Sequence, residues 1–355
     1  MAEVAAELVS DPGHTTVTTS RRSWRSLARW ELALVVLLGY SLYYGATTTT
    51  NFFSRDTVFF AGINFGLIAI MALPETFIIM TGEIDLSVAA MLGLASSAYG
   101  YLYMHHVPVI AAVLIVLVIG AVGGALNGYL VTAVGLPSIA VTIGTLTMFR
   151  GIAEVILGTN EVSNFNGPWT GIGTNSIPGT PFSYTFGIFI VLAVVATVVL
   201  HFTTTGRSIV SIGLQQEAAF FSGVRVKRIK FLLYTVSGLI CAFTGLLYTY
   251  QTNTARYDAA LGMELNVVAI VLFGGISIFG GKGTMPGVVL SVIAVGTFDQ
   301  VLTIKNVSSQ SQSVVFGILL LASVLLPNSA RGYRALRARM TRRRAVTADS
   351  NSRLS

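Results

Sequence analysis

The chain has 355 residues, 53% hydrophobic and only 10% charged, with a mean hydropathy of +0.74. A soluble domain carries about 25% charged residues, so this composition excludes an ordinary water-exposed fold and makes the bilayer the expected solvent. The net charge of +7 does not imply nucleic acid, because Lys and Arg cluster at the two ends and in one internal loop, between long uncharged runs.

A membrane span needs about 20 mainly apolar residues. On that measure the sequence predicts an all-α, polytopic membrane helix bundle of about ten transmembrane helices, at 30–46, 57–80, 87–103, 108–132, 137–158, 183–202, 229–251, 265–280, 285–303 and 311–327. Residues 1–29 form a basic N-terminal segment ending in Arg21, Arg22, Arg25 and Arg29, and 328–355 form a basic tail. The first apolar run ends at Tyr43 and Tyr44 with no small-residue cleavage site, so it reads as an uncleaved helix rather than a signal peptide. The third, eighth and ninth segments are short, and Pro137 opens the fifth, which makes each a candidate for a re-entrant or broken helix.

Charge placement tests the count. With both termini cytoplasmic, 18 of the 22 Lys and Arg fall on the inner side and 3 (Arg55, Arg256, Lys305) on the outer, while Arg150 lies within a span. That is a strong positive-inside bias, and an odd number of spans would destroy it. It places loop 203–230 in the cytoplasm and the Gly-, Asn- and Thr-rich loop 159–182 outside. The tail from Arg331 to Arg344 reads as an orientation signal resting on anionic membrane lipid. Gly120, Gly124 and Gly128 recur at every fourth residue of the fourth helix, a pattern that lets helix backbones approach closely in lipid. A weak internal echo pairs the turn Thr81-Gly82-Glu83 with Gly280-Gly281-Lys282.

Catalytic signals are absent: there is no G-x-S-x-G, no H-E-x-x-H and no Cys/His cluster. The single cysteine, Cys241, lies in an apolar run and reads as a structural thiol, and the adjacent His105 and His106 read as polar loop residues. The run Gly280-Gly281-Lys282-Gly283-Thr284 fails as a phosphate loop, since Ile276 stands at the first glycine position and Gly283 follows the lysine. The chain is therefore not expected to hydrolyse ATP or to be an enzyme, and this run reads as a tight turn.

Within loop 203–230, Glu217-Ala218-Ala219-Phe220-Phe221-Ser222-Gly223 reads as a short helix that Gly223 terminates. Such a helix offers a carboxylate and two aromatic anchors to a cytosolic partner; the bland alternative is an ordinary amphipathic loop helix. Ionisable residues inside spans tend to face a cavity or a partner, which singles out Glu75, Arg150, Glu154 and Asp299. Arg150 and Glu154 are four apart, share a helix face and are able to pair, lining a polar path or stapling two helices. Asp85 and Ser87 stand where N-terminal caps of the third helix belong. Ser138, Thr142, Thr145 and Thr147 supply hydroxyls along the fifth helix, although such hydroxyls also bond their own backbone.

Four segments together resemble one family, the permease subunits of ribose-type bacterial ABC importers, whose members handle ribose, xylose, rhamnose, galactofuranose or autoinducer-2. They are Met80-Thr-Gly-Glu-Ile-Asp-Leu-Ser87, Asn127-Gly128 with Ile143-Gly-Thr-Leu-Thr-Met-Phe-Arg-Gly151, Gly206-Arg207 through Glu217-Ala-Ala and Gly223, and Phe273-Gly-Gly-Ile-Ser-Ile-Phe-Gly-Gly-Lys-Gly-Thr284. The resemblance implies a permease domain over 30–327 in a bacterial inner membrane, paired with a second permease chain. Two ATP-binding subunits, carrying ATP and Mg, would lie beneath it and an external solute-binding protein above. By the resemblance Glu217, Ala218, Ala219 and Gly223 would form the coupling loop; the residues themselves add Phe220 and Phe221 to that loop and make Asp85, Ser87, Thr142, Thr145, Thr147, Arg150 and Glu154 the candidates for a translocation path. The chain departs from the family at Glu83, where the usual Gly-Gly-Ile-Asp-Leu-Ser turn has its second glycine. The cargo is expected to be a pentose, a deoxyhexose or an autoinducer-2-like solute. Two rivals stay open: a branched-chain amino acid ABC permease, and an ion-gradient-driven secondary transporter leaning on Glu75, Asp299 or the Arg150–Glu154 pair.

Overall fold

The computed structural model describes residues 24–49, 51–167, 169–318 and 321. Helices α1 (Trp24–Thr48), α2 (Arg55–Met80), α3 (Val88–Met104), α4 (Val109–Tyr129) and α5 (Ser138–Leu157) follow in order, with α4 running on into a π-helical turn, Leu130–Val134. After a two-residue strand β1 (Val162–Ser163) and the single turn α6 (Gly171–Thr174) come α7 (Tyr184–Phe202), α8 (Thr204–Leu214), α9 (Gln216–Phe221) and α10 (Val226–Thr252). Strand β2 (Thr254–Ala255), α11 (Met263–Phe273) and α12 (Met285–Ile304) complete the named elements, and residues 309–318 are helical. Six helices among the described residues are long and apolar enough to cross a membrane. The basic tail, residues 1–23 of the N-terminal segment, and residues 319, 320 and 322–327 of the predicted 311–327 span lie outside the described residues.

The solvent-facing sides of the outer helices carry Ile110, Leu114, Val118 and Val122 on α4, and Val191, Val194, Val195 and Val198 on α7. Only hydrocarbon matches such a surface, so this is an all-α membrane protein with lipid as its natural surround. At the centre, α2 is buried on all sides from Phe65 to Met80. It is flanked by α7, α10, α11 and α12. The most extensive helix contact is between α4 and α10. There Gly120 and Gly124 face Gly238 backbone to backbone, and Gly128 lies on Phe231, so the four-residue glycine spacing does pack a helix.

One end of the bundle, the turn end, gathers residues 81–87, 203–225 and 274–284. Gly281 N–H donates to the Met80 carbonyl at 2.9 Å, and Gly213 of α8 packs against both Met80 and Gly280–Gly281. The opposite end, the loop end, holds residues 158–183 and 253–255. There β1 pairs antiparallel with β2, and Asn253 Oδ1 accepts from Phe165 N–H at 2.9 Å.

The eighth predicted span is corrected. In place of a helix over 265–280, α11 ends at Phe273 after 11 residues, about 16 Å at 1.5 Å per residue, against a hydrocarbon core of about 30 Å. It stops because Gly275 takes φ +83° and closes a Schellman cap: Gly275 N–H donates to Leu272 O, and Ile276 N–H donates to Val271 O. Helix α2 stops in the same way: Gly82 has φ +84°, Gly82 N–H donates to Ile79 O and Glu83 N–H donates to Ile78 O. The echo between the two turns is thus one of helix endings, Gly82 with Gly275, a register earlier than the Gly280–Lys282 pairing expected from sequence. Residues 280–284 are the tight turn expected, with positive φ at Gly280, Gly281 and Gly283.

Candidate functional site

At the turn end, loop 203–225 folds into two short helices. Thr203 caps α8 by accepting from Gly206 N–H at 3.2 Å, and α9 follows after the extended Gln215. Helix α9 has only six residues, too few to be stable alone, since helix nucleation is costly. Its far end is fixed by Gly223, φ +86°: Gly223 N–H donates to Phe220 O at 2.9 Å and Val224 N–H to Ala219 O at 3.1 Å. This is again a Schellman cap, with Val224 and Ala219 in the apolar cluster of Ile212 and Val226 that accompanies it.

Burying Ala219 turns the rest of α9 outward. Glu217 and Ala218 are exposed, Phe220 is 64% exposed and Phe221 is 85% exposed, their rings in edge contact at 5.7 Å. Two adjacent exposed aromatics therefore stand beside an exposed carboxylate on one face of α9. Behind it, α8 reaches the point where the two glycine turns meet. A Cβ on Gly213 would overlap the Met80 carbonyl, so nothing separates α8 from the ends of α2 and of the 274–284 segment. Helix α9 packs on α8, and α8 alone separates it from the turns that terminate α2 and α11.

Glu83, the departure from the family pattern, ends in an ion pair: Lys230 Nζ on α10 donates to Glu83 Oε1 at 2.5 Å and to Gln216 Oε1 of α9 at 2.6 Å. The left-handed backbone of the turn falls on Gly82, not on residue 83, so a side chain is admitted here without strain.

Inside the bundle a buried polar network starts at α2. Glu75 Oε1 accepts from Asp85 N–H at 3.1 Å, Asp85 Oδ1 accepts from both the N–H and the hydroxyl of Ser87, and Asn127 Nδ2 donates to Ser87 Oγ at 2.9 Å. Ser138 Oγ accepts from Ile84 N–H, and Thr142 Oγ1 donates to the carbonyls of Ser138 and Ile84. Because Ser87 Oγ spends its proton on Asp85, the Asn127 amide must present nitrogen to it, which leaves Asn127 Oδ1 buried without a partner, as is Glu75 Oε2. Asp85 and Ser87 do sit at the start of α3, but the Ser87 hydroxyl makes no cap bond; Asp85 takes the free Ser87 N–H instead.

The remaining path candidates divide. Thr142 and Thr145 are on the buried face of α5, with Thr145 Oγ1 bonded back to Val141 O, whereas Thr147 and Glu154 lie on its exposed face. The Arg150–Glu154 pair does not form. The Arg150 guanidinium instead turns inward and donates to the carbonyls of Tyr257 (3.1 Å), Ala259 (2.5 Å) and Ala89 (3.2 Å). Three fixed carbonyls outcompete one exposed carboxylate, and they pull the non-helical segment 257–260 down to the first turn of α3. Sequence reasoning found Arg150 but had no signal for carbonyls 107 and 109 residues away. At the loop end Arg256 grips Asp258 through two nitrogens at 2.8 and 2.9 Å, which holds the Asp258 carboxyl below the usual carboxylate range. Asp299 makes no ion pair among the described residues, and no cluster of His, Cys, Asp or Glu there could hold a metal ion.

Arg150→Ala is expected to free segment 257–260 and leave the carbonyls of Tyr257, Ala259 and Ala89 without their donor. The loss should be about 2–4 kcal/mol, read as an earlier thermal transition of the detergent-purified chain. Glu154→Ala, on the exposed face, should leave that transition in place.

A helical membrane bundle with a broken helix, a buried polar network and a short exposed helix at one end is a build that transport proteins use. The family described as the permease component of the branched-chain amino acid transport system matches residues 58–324, and the chain belongs to that family. Among curated relatives, the autoinducer 2 import system permease protein LsrD of Photorhabdus temperata is 27% identical over 321 residues, covering 89% of this chain and 96% of the relative. The proteins of that name from Escherichia coli K12 and Shigella flexneri are each 30% identical over 302 residues, covering 83% of this chain and 91% of theirs. No solved structure matches the chain.

Proposed function

We propose that the chain is the membrane permease of an ATP-driven importer for autoinducer-2 or a related sugar-like solute. The observation that carries this is the likeness to autoinducer 2 import permeases over most of the chain. The exposed Phe220–Phe221 surface of α9, packed through α8 onto the two glycine turns, gives that likeness a mechanism. The permease domain occupies 30–327 between the basic segments 1–29 and 328–355. It crosses a bacterial inner membrane about ten times with both termini inside, which puts α9 in the cytoplasm. ATP and Mg sit on two partner subunits that seat on α9; a second permease chain completes the pathway, and an external binding protein delivers the solute. ATP binding closes the partner subunits, α9 moves with them, and the ends of α2 and α11 shift together. Asp85, Ser87, Thr142 and Thr145 belong to the polar seam that these turns control, while Arg150 holds the 257–260 segment against it.

Purification of the tagged chain in mild detergent, from cells expressing its gene neighbourhood, tests the reading. An ATP-binding subunit should co-purify in stoichiometric amount and be lost with Glu217→Lys. Uptake of labelled autoinducer-2 should be competed by sugars and not by branched-chain amino acids; the reverse would make the cargo an amino acid. A gradient-driven mechanism has one observation in its favour, the buried and half-partnered Glu75. Gln at this position keeps the acceptor for Asp85 N–H, so Glu75→Gln should retain uptake within about twofold in vesicles without an ion gradient. Loss of gradient-dependent uptake in that variant would favour ion coupling.

A further inference from the structure

We propose that Lys230 and Glu83 form a clamp that sets the position of the coupling helix, so that α9 and the turn ending α2 move as one piece; this rests on α9 being the coupling helix. Lys230 projects from the second turn of α10 with its side chain 7% exposed, and Glu83 is 19% exposed. A cation so buried must be fully partnered. Its partners come from two different elements, the carboxylate of the 81–87 turn and the Gln216 amide in the first turn of α9. Tyr234, one turn further along α10, packs with Ile78 of α2 and with Val131 and Val141, so the stem from which Lys230 reaches is rigid.

Helix α9 needs such a tether. It buries one side chain, Ala219, and its Schellman cap fixes the Gly223 end alone. At its start Gln215 provides no side-chain cap, and Gln216 on Lys230 is the side-chain contact that ties the first turn of α9 to the bundle. Glu83 in turn follows the Gly82 cap of α2 directly and lies two residues before Asp85, the hub of the buried network. The clamp thus runs from α9 through Gln216 and Lys230 to Glu83, in the turn that carries Asp85. The glycine that the family pattern has at residue 83 offers no partner to Lys230, so this path is particular to chains with a carboxylate there.

A staple that only adds stability and a clamp that positions α9 respond differently to an apolar replacement, since a buried ion pair exchanged for apolar side chains often costs no stability. The test uses the full chain with a spin label on Gln215→Cys, an exposed residue with no side-chain cap bond beside Gln216; the native Cys241 is buried and stays unlabelled. Label mobility should rise in Lys230→Met and in Glu83→Gln, and the amount of co-purified ATP-binding subunit should fall about tenfold. The exchange Glu83→Lys with Lys230→Glu should restore both, with Gln216 turning its amide to donate. The apolar pair Glu83→Leu with Lys230→Met should recover the thermal transition while the label stays mobile. Unchanged mobility in both single variants overturns the clamp, as does the apolar pair restoring a fixed label. If the parent chain captures no ATP-binding subunit while the single variants still release the label, the importer reading fails and the clamp stands as a tether of α9.

Discussion

Gly124→Leu is expected to leave almost no folded protein in the membrane. A Cβ at residue 124 would overlap the Tyr234 carbonyl and meet the Gly238 Cα at 3.1 Å, and both obstacles are backbone atoms of α10. Side chains can change rotamer to make room; a helix backbone cannot without separating the two helices. Overpacking of a core costs about 1–3 kcal/mol when side chains relax, and more when they do not. Against a typical total of about 5–15 kcal/mol this removes most of the margin. The neighbouring positions grade the effect. Gly128→Ala meets Phe231 O at 3.0 Å and should lower the thermal transition modestly. At Gly39 nothing lies within 4 Å, so Gly39→Ala should be neutral or gain up to about 1 kcal/mol from helix propensity. The check is the monodisperse yield on size exclusion together with the thermal transition. Equal yields for Gly124→Leu and the parent would mean that α4 and α10 do not meet as described.

The second large effect is on coupling without folding. Glu217→Lys should abolish co-purification of the ATP-binding subunit and reduce uptake at least about tenfold, while the thermal transition moves by no more than a surface substitution allows, within about 0.5 kcal/mol. Glu217 is exposed, so its reversal leaves the packing of the bundle untouched. Gly223 acts through the backbone: nothing lies within 4 Å of its absent Cβ, but its φ of +86° excludes a β-branched residue. Gly223→Val should open the cap at a cost of about 1–3 kcal/mol, release Val224 from Ala219 and lose uptake. Gly223→Asn tolerates the same φ and should keep most of it. Wild-type uptake in both Glu217→Lys and Gly223→Val would remove α9 as the coupling element. Parallel loss in Phe220→Ala with Phe221→Ala, again without a stability change, would locate the contact on the exposed rings.

Much of this molecule was legible in the amino-acid order because the bilayer leaves few choices. Long apolar runs must be helices, since backbone groups in hydrocarbon bond internally. The runs predicted at 57–80, 108–132, 183–202 and 285–303 became α2, α4, α7 and α12 with ends shifted by at most a few residues. Glycine spacing on α4 announced close packing, and Gly223 announced the end of α9, because both signals are local and rest on the missing Cβ. What the order of residues could not state was anything that depends on partners far along the chain. Arg150 looked suited to Glu154 at helical spacing, yet it spends its hydrogens on carbonyls of Tyr257, Ala259 and Ala89. Glu83 stood out only as a departure from the family turn, yet the left-handed backbone is carried by Gly82 and the carboxylate meets Lys230 across 147 residues. The run after residue 265 is apolar enough for a full span, but it stops at Phe273 because Gly275 closes the helix. Composition and local spacing determined the solvent, most of the helices and the end of α9, since each follows from a residue and its near neighbours. Which buried charge meets which acceptor was decided only by the folded bundle, because in a low-dielectric interior a charge takes the best partner in reach, and reach is a property of three dimensions.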